Sequence, residues 1–185
     1  MNAVIATRDI GGKTIQPNDY QYSTIRAYLN GSFEQADKQY DDPDLNKYVG
    51  ENSFLQTAFT SEAQTLIATT LVENTRYGSN DTYDTQDKVF LLSYAEVFTN
   101  GALYGFDGNA SNRTPLITPD GYAVAKGVQM SNQGTAYWLL RTPDTMTKIS
   151  VYDVNGGGEV ESVNVGLTSS VGVVPAITVT LPAKN

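Results

Sequence analysis

The clearest hydrophobic pattern lies in the last third of the chain. An apolar run over residues 136–140 ends at Arg141 and Pro143, which predicts a buried strand that reaches the surface at the arginine and stops at the proline. A second run, over residues 171–181, predicts the final strand. The interval between the runs is rich in Gly, Ser, Thr and Asn, a composition suited to a displayed surface. This layout favours a scaffold that presents a variable face.

Short helices are predicted before these strands. Ser23 is a suitable N-cap for the first helix and Gly31 a suitable stop. Two more begin at capping boxes, in which a Ser is followed three residues later by Gln or Glu. In a further predicted helix, Thr118 is the expected N-cap and Pro119 is the first helical residue. The predicted helices span residues 22–30, 61–70 and 118–127, and a short one starts at Ser93.

The remaining strand patterns complete an α+β fold. The residues of 149–154 alternate with period two, as expected for a half-buried strand, and Gly156-Gly157-Gly158 predicts a hairpin turn. Helices early and antiparallel strands late indicate helices that flank one small sheet. We expect a single domain over residues 1–185, with residues 1–19 as an extended N-terminal arm. Further strands are predicted at 71–73, 88–92, 136–141 and 159–165, an exposed acidic loop at 34–53 and turns at 99–117.

Composition excludes several functions. The net charge of −8 and the pI near 4.4 disfavour binding to nucleic acid or to anionic lipids. No apolar run approaches the roughly 20 residues of a membrane-spanning helix. Cysteine and histidine are both absent, which rules out disulfides, zinc fingers and catalytic sites that need either residue. The first nine residues lack signal-peptide features, so we expect the chain to begin inside a larger protein or to be exported by another route.

Twenty acidic residues raise the hypothesis of a glycoside hydrolase, because two suitably spaced carboxylates suffice for that reaction. Nothing in the sequence pairs them, and most lie in polar segments. The oxygen-rich turns at 107–109 and 153–156 could supply calcium ligands, but neither has EF-hand spacing. Asx turns are the favoured interpretation of both, and we expect no metal and no cofactor. For Arg141 we expect a structural pairing with a carboxylate, with anion recognition as the alternative, and for Trp138 a place in the core.

Several sequence blocks, in this order, resemble the bacterial and phage domain of unknown function DUF6273. The blocks are Tyr22–Asn30, Ala58–Gln64, Asp87–Val97, Gly121–Gly127, Tyr137–Pro143 and Gly172–Ile177. The resemblance implies similarity to C-type-lectin-like folds, including formylglycine-generating-enzyme relatives and the variable proteins of diversity-generating retroelements. In such folds the last strand locks the core, and the preceding segment displays the ligand-binding residues. By that analogy the binding face lies within residues 144–170.

These observations lead to one main hypothesis and two alternatives. The main one is a non-enzymatic binding or display module of a bacterial surface or phage protein, extracellular or virion-associated, with a protein or glycan partner. The alternatives are an assembly element, for which a homo-oligomer is expected, and a carboxylate-based hydrolase. The candidate ligand-binding residues are Asp144, Tyr152, Asn155, Asn164, Thr168 and Ser169.

Overall fold

The computed structural model describes residues 8–10, 13–31, 52–78, 83–99 and 116–181, with the backbone alone for 8–10, 13–15 and 167–169. The helices are α1 (Thr24–Asn30), α2 (Phe54–Ala58), α3 (Ser61–Leu66) and α4 (Gly121–Ala125). The strands are β1 (Arg8–Ile10), β2 (Lys13–Ile15), β3 (Thr70–Val72), β4 (Thr85–Asp87), β5 (Val89–Leu91), β6 (Trp138–Pro143), β7 (Ser150–Val154), β8 (Val160–Asn164) and β9 (Pro175–Ile177). The fold is α+β, as predicted.

The strands pair antiparallel in small sheets. β1 pairs with β2, β3 with β4 and β5 with β9, while β6, β7 and β8 form a three-stranded sheet in that order. The run predicted as one final strand is shorter, because the chain changes partner along it. Gly172 bridges to Trp138 of β6, β9 pairs with β5, and Val179 bridges to Ile67. Part of the predicted N-terminal arm is thus a two-stranded ribbon, and the segments at 34–51 and 100–115 lie outside the described residues.

The helix ends show which capping predictions were right. Ser23 caps α1 by accepting from the backbone N of Arg26, and Gly31 ends the helix with φ of 76°. The predicted start of α4 at Thr118 is wrong, because Asp120 is the N-cap and accepts from the Ala123 backbone N at 2.7 Å. α3 also starts one position off its predicted box, since Thr60 is its cap.

The core consists of two clusters of buried side chains. The tryptophan cluster comprises Val72, Phe90, Leu92, Val97, Trp138, Leu140 and Val154. The leucine cluster comprises Tyr20, Leu29, Leu55, Ile67, Val89 and Leu91. Trp138 is 0% exposed, which confirms its predicted place in the core.

Two central strands separate these clusters. In β5, Phe90 belongs to the tryptophan cluster, whereas Val89 and Leu91 on either side of it belong to the leucine cluster. β6 alternates in the same way, with Leu140 in the tryptophan cluster and Leu139 packed against the leucine cluster. Strands buried on both faces have nearly continuous apolar sequences. This explains why residues 88–92 and 136–140 show no polar alternation.

A buried ion pair ties α1 to β4. Arg26 Nε donates to Asp87 Oδ1 at 2.9 Å, and Asp87 Oδ2 also accepts from Thr85 Oγ1 at 2.6 Å. Arg26 Nη1 donates to the backbone O of Gln21. Removing one partner of such a pair leaves an uncompensated charge in the interior, which is more costly than losing both. Asp87 is therefore a position on which the packing of α1 depends.

We expect Asp87→Ala to lower the free energy of unfolding by about 3 to 5 kcal/mol, because the Arg26 charge stays buried without its partner. Urea unfolding followed by tryptophan fluorescence measures this loss. Gln86→Ala is the matched control, since Gln86 is the exposed neighbour on the same strand. Its effect should stay within about 0.5 kcal/mol. Equal losses in the two variants would contradict a structural role for the ion pair.

Candidate functional site

A buried arginine organises the region around the predicted binding face. Arg141 is 5% exposed, so the prediction that β6 reaches the surface at this residue is wrong. Its guanidinium donates from Nη1 to the backbone O of Leu91 at 2.7 Å and from Nη2 to the backbone O of Glu73 at 3.2 Å. It also forms a bidentate ion pair with Glu96, in which Nη2 and Oε1 are 3.0 Å apart. The predicted pairing with a carboxylate is confirmed.

The Glu96 side chain also caps the start of the helical turn to which Glu96 belongs. Its Oε2 accepts from the backbone N of Ser93 at 2.6 Å, and Ser93 Oγ accepts from the backbone N of Glu96 at 3.2 Å. This is the reciprocal capping box predicted from the sequence. This helical turn, Ala95–Thr99, is π-helical. Burial acts to raise the pKa of Glu96, but hydrogen bonds and the positive charge of Arg141 outweigh it and lower that pKa below its ordinary value.

The ion pair places two aromatic rings against a third on the sheet. The Tyr94 and Phe98 rings are stacked, with centroids 5.1 Å apart and planes inclined by 29°. The centroid of Tyr94 is also 5.5 Å from that of Tyr152 on β7. The backbone N of Tyr94 donates to Thr142 Oγ1 at 2.9 Å, which ties this ring to β6. Tyr94 is 38% exposed and forms the outer part of the group.

Hydroxyl groups border the rings. Tyr152 Oη lies 3.3 Å from Thr145 Oγ1, and the exposed Ser162 is opposite Tyr152 in the register of β7 and β8. We name the surface made by these side chains the Tyr152 face. It consists of Tyr94, Phe98, Thr145, Tyr152 and Ser162.

The carboxylate of Asp144, next to this face, already accepts hydrogen bonds on both oxygens. Asp144 is buried, and its Oδ2 accepts from Ser162 Oγ at 2.8 Å while its Oδ1 accepts from the backbone N of Met146 at 2.9 Å. The backbone N of Asp144 also donates to the O of Ser150. Asp144 therefore fixes the segment after β6 against the β7–β8 hairpin.

The predicted turn after β7 is confirmed, and Asn155 stabilises it. Asn155 is buried, and its Oδ1 accepts from the backbone N of Gly157 at 2.8 Å and of Glu159 at 3.0 Å. These contacts define the predicted Asx turn. The Asn155 amide donates to Glu161 Oε1 at 2.8 Å. A side chain at Gly156 would collide with Ser131, so the turn is packed closely against its neighbour.

The six candidate residues thus occupy different settings. Tyr152 and Asn164 are half-buried on β7 and β8, and their side chains share one face of the sheet because 150, 152, 162 and 164 alternate with the other positions. Asp144 lies beside this face, while Asn155 lies at the turn. Thr168 and Ser169 fall in the 3₁₀ turn Val165–Ser170, and their side chains are outside the description. Ligand contact by these residues stays a prediction, and the Tyr152 face is where exposed groups converge.

The sequence interpretation missed Tyr94 and Phe98. Both follow a capping box that was recognised, but they come from a segment far from residues 144–170. The sequence signal that could have identified Tyr94 is the capping box of Ser93 and Glu96. Tyr94 follows the capping Ser93 at the start of the helical turn. Nothing local indicated that this turn is held against β6 by Arg141.

Two carboxyl groups oppose each other on the side of the hairpin away from Tyr152. Asp153 and Glu161 are cross-strand partners, and Asp153 is 3% exposed. Within the described part of the chain Asp153 Oδ1 has no hydrogen-bond partner. Burial, with a smaller contribution from the charge of Glu161, raises the pKa of Asp153 to about 6. Since an unfolded aspartate has a pKa near 3.9, folding favours the protonated form.

We expect this carboxyl group to make the protein less stable as pH rises from about 4 to about 6, because the native state binds the proton more tightly than the unfolded chain. Asp153→Asn should then increase the free energy of unfolding at pH 7 by about 2 kcal/mol and flatten this part of the pH profile. Thermal unfolding at a series of pH values measures both effects.

Glu159→Gln is the matched control, since Glu159 is exposed and lies at the turn of the same hairpin. It should leave the profile unchanged. A wild-type stability that rises steadily through this pH range, together with a destabilised Asp153→Asn, would contradict the assignment.

Two other kinds of structural feature are absent from the described ranges. There, no three Asp, Glu, His or Cys side chains are placed so that they could hold a metal ion. No described helix has the length and apolar character needed to cross a membrane. The oxygen-rich turn at 107–109 lies outside the described residues.

Comparison with known proteins gives one assignment. No curated protein and no solved structure matches the chain. The family model described as a domain of unknown function, DUF6273, matches residues 2–181, which is nearly the whole sequence. The blocks from Tyr22 to Ile177 that suggested this resemblance all fall within the match. The chain belongs to the DUF6273 family.

Proposed function

We propose that the protein is a non-enzymatic binding module of a bacterial surface or phage protein, and that its partner contacts the Tyr152 face. The observation that carries the proposal is a group of three aromatic rings, those of Tyr94, Phe98 and Tyr152. Tyr94 is the exposed member of the group, and hydroxyl groups border the rings. Tyrosine offers rigid, amphipathic contact area at low conformational cost, and it is enriched in recognition surfaces. The ion pair between Arg141 and Glu96 supports a face that is ordered before the partner arrives.

The proposal includes a C-type-lectin-like arrangement of the chain. In such folds a last strand locks the core and the segment before it displays the ligand-binding groups. Here β9 pairs with the buried β5, and its Ala176 packs against the tryptophan cluster. Tyr152 and Ser162 lie in the segment between β6 and β9. This order of elements supports the analogy, and the proposed module is an extracellular or virion-associated protein.

The hydrolase alternative has one observation in its favour, namely the opposed carboxyl groups of Asp153 and Glu161. A carboxyl group with a raised pKa beside a second carboxyl group is typical of an acid and base pair in glycoside hydrolysis. Asp153 is nevertheless 3% exposed, so a glycosidic oxygen could not approach it in this conformation. The Asn155 amide also occupies Glu161 Oε1. The pair therefore supports a structural role better than a catalytic one.

The assembly alternative is supported by a different surface. The C-terminal segment exposes apolar side chains, with Val179 at 48% and Leu181 at 80%. Leu66 is also 48% exposed, and its backbone O accepts from the N of Thr180. Contiguous exposed apolar groups of this kind are often found at protein interfaces.

Light scattering on the purified chain separates these two functions. The binding proposal predicts a monomer with the Tyr152 face accessible, and Leu181→Asp should leave that monomer unchanged. An assembly element would form a stable oligomer that Leu181→Asp dissociates, because the new charge would be buried at the interface. A stable oligomer of this kind, present at every protein concentration tested, would contradict the proposal of a monomeric binding module.

Partner binding is tested by comparing the wild type with Tyr94→Ala on a glycan array and against envelope proteins of the source cell. The substitution should abolish binding without unfolding the chain, because the ring is exposed and the backbone bond to Thr142 remains. Tyr122→Ala is the control, since Tyr122 is a more exposed tyrosine, on α4. Binding that survives Tyr94→Ala unchanged would exclude the Tyr152 face as the contact surface.

A further inference from the structure

The groups on the Tyr152 face narrow the chemistry of its ligand. We infer that the face binds a neutral glycan, with a sugar ring stacked on Tyr94 and its hydroxyls bonded to the bordering side chains. This inference rests on the proposed function and selects one of the two partner classes it allows.

The aromatic part of the face suits a flat, weakly apolar group. The Tyr94 ring is backed by Phe98 at 5.1 Å and flanked by Tyr152 at 5.5 Å, so neighbouring side chains hold it on two sides. A pyranose presents a face of C–H groups that packs against the electron-rich face of an aromatic ring. Tyr94 is 38% exposed, so part of this residue is accessible to such a group.

The polar border has unused hydrogen-bonding capacity of the kind that sugars need. Tyr152 Oη and Thr145 Oγ1 share one hydrogen bond at 3.3 Å. Each hydroxyl carries one donor and two acceptor positions, so one proton and most of the lone pairs of this pair can meet a ligand. Ser162 Oγ donates to Asp144 and still has lone pairs that accept. The border therefore offers both donors and acceptors within reach of a stacked ring.

Charge argues for a neutral ligand. Both oxygens of Asp144 are taken by Ser162 and Met146, and both oxygens of Glu96 are taken by Arg141 and Ser93. The five side chains of the face are themselves uncharged. The chain carries a net charge of −8, which repels anionic sugars at long range. A neutral hydroxylated ligand meets neither a buried unpaired charge nor this repulsion.

The small size of the face favours a glycan over a protein partner. A stable protein interface usually involves about 20 to 30 residues on each side. The Tyr152 face has five side chains, which matches the footprint of one or two sugar rings. The reciprocal cap and the Arg141 pair hold the turn that carries Tyr94 and Phe98, so little ordering of this turn is required when a small ligand binds.

The test uses the full chain and a panel of soluble oligosaccharides in a titration followed by aromatic NMR signals. The neutral probes are the tetrasaccharides of chitin, cellulose, mannan and amylose, and the charged probe is tetragalacturonate. We expect at least one neutral probe to shift the ring signals of Tyr94, Phe98 and Tyr152 while those of Tyr122 stay unchanged. The charged probe should bind at least about tenfold more weakly, because none of the five described side chains of the face is cationic.

Three variants make the result specific. Tyr94→Ala should weaken binding of the neutral probe by about tenfold or more, as expected for a central aromatic contact. Tyr152→Phe keeps the ring and removes the hydroxyl, so a few-fold loss is expected, whereas Tyr122→Ala should bind like the wild type. The inference is overturned if no neutral probe shifts these rings, or if Tyr94→Ala binds the probe as tightly as the wild type.

This outcome is distinguishable from failure of the proposed function. If every sugar fails but an envelope protein binds the wild type and not Tyr94→Ala, the binding function stands and the glycan inference is wrong. If the wild type and Tyr94→Ala behave alike toward every sugar and every protein, both are wrong.

Discussion

The arrangement of this protein depends on one buried guanidinium. Arg141 bonds the backbone oxygens of Leu91 and Glu73 and the carboxylate of Glu96. These contacts join β5, the residue after β3 and the π-helical turn to β6. The guanidinium itself is buried, with Arg141 5% exposed, and an interior charge left unpaired would be costly. The aromatic rings on the surface therefore depend on an interaction beneath them, and an Arg-to-Lys replacement could not supply the same set of donors.

Local structure was largely predictable because its causes are local. Ser23 and Gly31 bound α1 through contacts within one helical turn, and the box of Ser93 and Glu96 likewise closes on itself. Trp138 lies in an apolar run that has no stable place except the interior. Thr118 was the expected cap of α4, but Asp120 lies directly before the first helical residue, and its carboxylate is the group that accepts from the Ala123 backbone N.

The site was much less predictable, for two reasons. Asp144 and Asn155 lie in a Gly- and Ser-rich interval, and such residues are typical both of displayed surfaces and of turns that bond to their own backbone. Burial decides between these roles, and burial is a property of the whole fold. Tyr94 and Tyr152, in contrast, are distant in sequence and meet only because the turn that carries Tyr94 is fixed to β6.

The placement of β5 and β6 between the two clusters sets where the chain length can vary. Because neighbouring residues of each strand enter opposite clusters, adding or deleting one residue would exchange the two faces and send Phe90 or Trp138 to the wrong side. Connections that leave the strand register intact carry no such constraint. Family members should therefore differ in length between the strands and keep constant spacing within residues 88–92 and 136–139, before the register shift of β6 between Leu139 and Pro143. The two strands therefore keep a fixed register, while the segments that connect the strands can diverge in length and sequence.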